Sequence, residues 1–162
     1  LRRLGGPNVV VKIHPNEDPG LLRAQVRAWG WPEAVLTQTY DIHRLFRAAD
    51  VAIMVTSMAG IEAMAMGCPV VAAQTRDKDF EGAYMPPYVS EGAAQRVDIE
   101  DADALAAVLG RLLTDPVARD ELVERGRKFA AGYIHPVDGG LAERLLGTVD
   151  AIRAELAAGE PR

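Results

Sequence analysis

The segment from Val51 to Ala73 restricts the fold more than any other part of the chain. It reads VAIMV, then TSMAGIEAMAMGC, then PVVAA. The first run carries no polar side chain, so it cannot alternate between core and solvent; this predicts a strand covered on both faces, as in a parallel sheet. Pro69 stands at the first position of the second run, where a strand tolerates the missing N–H. Between them, Ala59 to Met66 is nearly all apolar and predicts a short buried helix, stopped by Gly67. Strand, helix and strand joined by short connections define a parallel α/β unit with helices on both faces of the sheet.

The same rhythm extends upstream. Asn8 to Ile13 (NVVVKI) is a β-branched run that predicts a strand, and Asp18-Pro19 reads as an N-cap followed by proline at the first helical position. Leu22, Val26 and Trp29 follow at helical spacing, with Trp29 and Trp31 expected to anchor that helix end in the core. Ala34 to Thr37 is a second, shorter strand. Asp41 caps a helix whose apolar side carries Leu45, Phe46 and Ala49. Gln74 to Glu100 breaks the pattern: it is long, holds Pro86-Pro87, has no clear period, and reads as a functional or mobile loop. Only helices are expected after it. Leu105, Val108, Leu109, Leu112 and Leu113 form one stripe. Asp115-Pro116 opens a helix to about Ala131, and Asp138 or Gly139 opens a last one carrying Leu141, Leu145, Val149, Ile152 and Leu156. These features divide the chain into residues 1–132, a Rossmann-like domain, and 133–162, a C-terminal helix with a polar tail.

Composition sets the outer bounds. The 162 residues are 49% hydrophobic and 25% charged. That is enough to bury roughly 70% of the unfolded surface and excludes wholesale disorder. One cysteine, Cys68, makes neither an intrachain disulfide nor a zinc cluster and fits a reducing, cytoplasmic setting. No apolar run reaches the ~18 residues of a membrane span. A net charge of -5 without basic clusters argues against nucleic acid as a partner. Leu1 to Pro7 reads as the last turn of a helix, a glycine stop at Gly5-Gly6 and the approach to a strand. The sequence is therefore expected to begin inside a fold, as a fragment of something longer.

In an open parallel sheet, ligands bind beyond the carboxyl ends of the strands. Two such ends stand out. After Val51–Val55 come Ser57, Met58, Ala59, Gly60, Ile61 and Glu62. A helix N-terminus here would offer free N–H groups to a phosphate. Ser57 could cap the helix or donate its hydroxyl, and Gly60 removes a Cβ where a ligand could press on the backbone. Glu62 lies in the first turn, where a carboxylate suits the two hydroxyls of a ribose. Serine is equally an ordinary cap, and glutamate is favoured early in helices. Yet Glu62 is the only charge between Asp50 and Arg76, and a lone carboxylate among apolar residues needs a partner. The second end is Lys12-Ile13-His14-Pro15. His14 could donate to a phosphate or act as a general acid, or both Lys12 and His14 could be solvated strand-end residues.

Elsewhere, His43 reads as solvated, and His135-Pro136 as a turn. Met54, Met58, Met64 and Met66 read as core filler, and Asp77-Lys78-Asp79 as a loop tip. Three dispersed histidines with one cysteine make no metal site.

The motifs VVVKIHP and DIHRLFRAADVAIMVTSMAGIEAMAMGCPVV resemble the C-terminal nucleotide-binding domain of GT-B-fold proteins. The likeness is to the UDP-N-acetylglucosamine 2-epimerase-like proteins and to the capsule and teichoic-acid glycosyl and glycerophosphate transferases. The helical ending LLTDPVARDELVERGRKFAAGYIHPVDGGLAERLL resembles theirs as well. The resemblance implies a cytoplasmic transferase of surface-polysaccharide synthesis. Its substrate would be a UDP- or CMP/CDP-linked sugar, with no tightly bound cofactor or metal. It places the nucleotide on Ser57, Met58, Gly60 and Glu62, with Glu62 on the ribose. Lys12, His14 and Pro15, which match a K-x-H-P segment followed by Asn16, fall by the donor phosphates, with His14 the candidate catalytic residue. Further catalytic residues would lie in an N-terminal GT-B domain outside this chain, to which the last helix would cross. The resemblance also leaves room for peripheral membrane association of the full protein and for a homo-oligomer. A hydrolysing epimerase and a non-catalytic nucleotide-binding or assembly module are the alternatives. Against the epimerases, this chain has Met58-Ala59 and Glu62-Ala63 in place of two small residues and a doubled acid, and Gln74 in place of an arginine.

Overall fold

The computed structural model describes residues 4–78, 80–82, 85–134 and 140–158. The elements follow in the order β1 (Val10–Lys12), α1 (Pro19–Ala28), β2 (Val35–Thr37), α2 (Ile42–Ala48), β3 (Ala52–Met54), α3 (Ala59–Ala65), β4 (Val70–Gln74), β5 (Gln95–Asp98), α4 (Ala102–Thr114), α5 (Pro116–Ala130) and α6 (Leu141–Ala158). All strand pairing is parallel. β1 pairs with β2, and β4 lies between β3 and β5. Helices connect or flank the strands, which is the expected α/β class.

The helix starts are chemically explicit. Asp18, Asp41 and Asp115 each accept two backbone N–H bonds at the first turn of α1, α2 and α5, and proline follows the cap in α1 and α5. These aspartates satisfy amides that a helix N-terminus otherwise leaves open. Gly67, at φ +80°, ends α3 where the chain turns back toward β4.

β4 is buried along its whole length. Val70 and Ala72 enter one core cluster with Phe46, Ile61, Met64, Tyr88 and Phe129. Val71 enters a second with Val97, Leu109, Leu112 and Leu122. The two-residue period of a strand thus feeds a core on each face of the sheet.

Several expectations need correction. The Gln74–Glu100 segment, read as a loop, contains a strand: β5 forms at Gln95–Asp98, and only helices follow it among the described residues. It escapes the apolar pattern because it is the outer strand of its sheet, with Gln95 and Arg96 in solvent and only Val97 buried. The Val51–Val55 run is not covered on both faces; Ile53 is 44% exposed because β3 has β4 on one side and no strand on the other among the described residues. Trp29 does not anchor the end of α1. It is the C-cap and 68% exposed, while Ile13, Val26 and Ala34 are the buried side chains of that unit. Met58 is exposed where α3 begins, whereas Met64 is fully in the core.

α6 presents Leu141, Leu145, Val149, Ile152 and Leu156 to solvent. The expected apolar stripe exists and is uncovered. Its predicted start at Asp138 or Gly139, His135-Pro136, Asp79 and the tail after Ala158 lie outside the described residues. No helix among the described residues is long and apolar enough to cross a membrane.

Cys68 reports on this core. Burial pushes its thiol from 9.0 up to about 11. Because the folded value lies above the unfolded one, the stabilisation is whole below pH 9 and is lost as the pH rises through about 11. Native protein should resist iodoacetamide at pH 8.5 and react in urea; mass spectrometry showing rapid native alkylation would contradict the packing.

Candidate functional site

Ser57 to Glu62 lies at the carboxyl end of β3, as the strand–helix pattern requires. Ser57 Oγ accepts the Ala59 N–H at 3.1 Å, so of its two readings the local bond is formed. Gly60 N donates to Ser57 O at 3.1 Å and Ile61 N to Met58 O at 3.0 Å. These three amides are engaged within the turn itself. A phosphate at this helix start would find them already occupied.

Gly60 is buried. The space a Cβ would need is held by the Met54 thioether and the Tyr88 ring, so glycine here permits a close approach of protein to protein. Tyr88 is fully buried and its hydroxyl lies 3.5 Å from the Ser57 carbonyl. It comes from the segment between β4 and β5, which the sequence presents as a functional or mobile loop without a clear period. That segment is held in place: the Glu81 carboxylate accepts N–H bonds from Val89 and Ser90. An aromatic beside two prolines in a segment without a period gives no burial signal, and only the fold shows that it backs the turn.

Glu62 has the partner its isolation calls for. His43 Nε2 lies 2.9 Å from Glu62 Oε2. His43 therefore is not merely solvated, although both side chains stay accessible at 55% and 41% exposure. α2 and α3 pack together and set this contact. Asp41 caps α2 by accepting the His43 and Arg44 amides at 2.8 and 3.3 Å, and its carboxylate stands 3.8 Å from His43 Nδ1. Cap, imidazole and carboxylate thus form an Asp41–His43–Glu62 row beside the end of β3.

Gln74 is the one buried polar side chain among the described residues in the core, and its amide donates to the Val55 carbonyl at 2.9 Å. It ties the end of β4 to the chain leaving β3.

The other expected group sits at the end of β1. Lys12 Nζ donates to the Gln38 carbonyl at 2.5 Å, bracing the end of β2. His14 is exposed; its backbone N–H donates to Glu17 and its Nδ1 accepts the Asn16 N–H at 3.2 Å. Pro15 offers its carbonyl to the Gln38 amide. Among the described residues no hydrogen bond joins this group to Ser57–Glu62. The two stand at the ends of separate sheets. No group of three or more potential metal ligands occurs among the described residues.

Parallel strands with helices on both faces and polar groups gathered at strand ends define a fold similar to that of GT-B glycosyltransferases. The chain belongs to the family described as glycosyl transferases group 1, whose profile matches residues 9–115. The solved sucrose-phosphate synthase from Thermosynechococcus elongatus is similar in fold, with a TM-score of 0.61 and 20% identity over 93% of this chain and 38% of that one. A solved structure of the glycotransferase of kitacinnamycin is similar with a TM-score of 0.51 and 25% identity, over 76% of this chain and 31% of that one. The chain thus spans well under half of either structure. No curated protein matches it.

The Asp41 cap gives a pH test. Bonds from the Arg44 and His43 amides hold its carboxyl below the ordinary 3.8. Its stabilisation is therefore present above that value and lost as pH falls through the lowered one. Acid titration by circular dichroism should show a component, below about pH 4, that Asp41→Ala lacks.

Proposed function

We propose that this chain is the donor-nucleotide-binding half of a nucleotide-sugar-dependent glycosyltransferase, acting in surface-polysaccharide synthesis. The observation that carries the reading is the Glu62 carboxylate. It is the single charge of a long apolar stretch, lies at the carboxyl end of β3, and is held by His43 while remaining open to solvent. A carboxylate so placed can accept hydrogen bonds from both hydroxyls of a ribose. His43, bonded through Nε2, restricts its rotamers before the ligand arrives, which reduces the ordering cost of binding. Family membership supports the transferase reading, and Gln74 separates the chain from the epimerases. Its neutral amide is committed to the Val55 carbonyl, where those proteins carry an arginine.

In this reading the donor diphosphate lies between Met58, at the mouth of the turn, and Lys12 and His14 at the end of β1. His14 is the proton donor to the leaving phosphate. The amides of Ala59, Gly60 and Ile61 are engaged, so side chains and the complementary half of the enzyme supply most of the charge stabilisation. The acceptor binds to that complementary half, whose surface meets this one across the donor.

Calorimetry with UDP and CDP tests the assignment. Glu62→Ala should lose about 1.5–3 kcal/mol of nucleotide affinity, the range for hydrogen bonds to a charged group. His43→Ala should lose less, while its thermal stability changes by under about 1 kcal/mol because the pair is exposed. Unchanged affinity for both nucleotides in Glu62→Ala would remove the carboxylate from the site. A thermal-shift panel of UDP, CDP, CMP and GDP then identifies the base, since ligand at 100 times its dissociation constant adds ~2.7 kcal/mol.

A further inference from the structure

The ladder between β1 and β2 ends at Lys12 and Thr37, with one further bond from the Ile13 N–H to the Thr37 carbonyl at 2.8 Å. Beyond that rung the chain turns at Pro15 and Asn16, and its carbonyls leave the ladder. Backbone acceptors released in this way need other partners. A single side chain supplies one to three of them. Gln38, the residue after Thr37, directs its Nε2 to the carbonyls of His14, Pro15 and Glu17 at 3.0, 3.1 and 3.1 Å. An amide nitrogen carries two protons, which the three carbonyls share; the amide oxygen has none to give. Gln38 is itself held, since its backbone carbonyl accepts the Lys12 ammonium at 2.5 Å.

This clamp sets the state of the His14 ring. Within the turn the His14 N–H donates to the Glu17 carboxylate at 2.9 Å, and the Glu17 N–H returns to the His14 carbonyl at 3.0 Å. The Asn16 N–H donates to His14 Nδ1 at 3.2 Å. A backbone N–H can only donate, so Nδ1 presents its lone pair. The bond made by one ring nitrogen fixes the role of the other, and the neutral ring therefore carries its proton on Nε2. The residue is exposed, which leaves Nε2–H as the group it offers to a ligand.

We infer that Gln38 is a positioning residue. It fixes the turn that holds His14 as one neutral tautomer, with Nε2–H directed to an anionic oxygen of the donor phosphate. Only the identity of that anion rests on the nucleotide-binding reading; the tautomer follows from the hydrogen bonds of the turn. The same geometry specifies how His14 serves as a donor. Loss of the Nε2 proton from a neutral ring would leave an imidazolate, so the proton stays on nitrogen and is shared with the phosphate in a hydrogen bond. Lys12 contributes through Gln38, because its ammonium holds the backbone that carries the clamp.

Side-chain nitrogen NMR spectra of the 162-residue chain test the tautomer. They are recorded at about pH 8, where an ordinary imidazole is neutral, and the His14 signal is assigned by its loss in His14→Gln. Wild type should show the Nε2–H form alone. Gln38→Glu keeps the shape but aims an oxygen at the three carbonyls, and Gln38→Ala removes the donor altogether. Both should gain an Nδ1–H fraction and exchange the Asn16 amide roughly tenfold faster, with unchanged far-UV circular dichroism. Calorimetry with UDP reads the other half. Gln38→Glu should weaken UDP binding by roughly 3–10-fold, the size of one neutral hydrogen bond. In a His14→Gln background the same substitution should cost nothing more, because it acts through His14. An Nδ1–H form in wild type, or a His14 signal that neither Gln38 variant moves, would overturn the clamp. Additive losses in the double variant would overturn the action through His14. Wild type that shows the single tautomer and binds no UDP would overturn the phosphate as its partner, and the nucleotide reading with it, while the tautomer assignment stands.

Discussion

The burial of β4 is the constraint on which the other elements depend. Its five residues are covered on both faces, so each face must be supplied with its own apolar partner. α3 answers on one side through Ile61 and Met64, and α4 on the other through Leu109 and Leu112. With β4 immobilised, its end is also a fixed point. Gln74 reaches from there to the Val55 carbonyl and fixes where the chain leaves β3. The turn that follows therefore takes its position from the core.

The site uses that rigidity in two ways. From behind, Tyr88 and Met54 press on Gly60 and leave the Ser57–Glu62 turn little freedom. From the side, α2 delivers His43 to Glu62. A carboxylate held at 2.9 Å by an imidazole and still accessible is poised for a polar ligand, because one face is committed and the other is open. Both supports come from elements whose first duty is packing. The chemistry at the sheet end is thus a by-product of how the core is closed.

Much of this architecture is legible in the residues. Caps such as Asp18, Asp41 and Asp115 act within one turn, and apolar runs such as Val70–Ala73 announce burial, so local rules suffice. β5 is hidden because an outer strand needs only Val97 inside. Trp29 misleads because its spacing suits a buried helix face, whereas a two-stranded sheet is too small to cover the last turn. The isolation of Glu62 makes the need for a partner readable, but the partner stands 19 residues away. Its identity is set by the packing of α2 on α3, which no local pattern encodes. Tyr88 is invisible for the same reason: its role exists only once the loop has folded back on α3.

The division of the strands into two hydrogen-bonded groups has a consequence for cooperativity. β1, α1 and β2 close within residues 10–37 and share no backbone ladder with β3, β4 and β5 among the described residues. Their contacts are local in sequence, so re-forming them costs little loop-closure entropy. Local opening follows such contiguous groups, so this one is a candidate unit distinct from the β4 core. In the 162-residue chain the two candidate site groups therefore belong to different cooperative units. The Lys12–Pro15 end belongs to the two-stranded group, and the Ser57–Glu62 turn to the group built on β4.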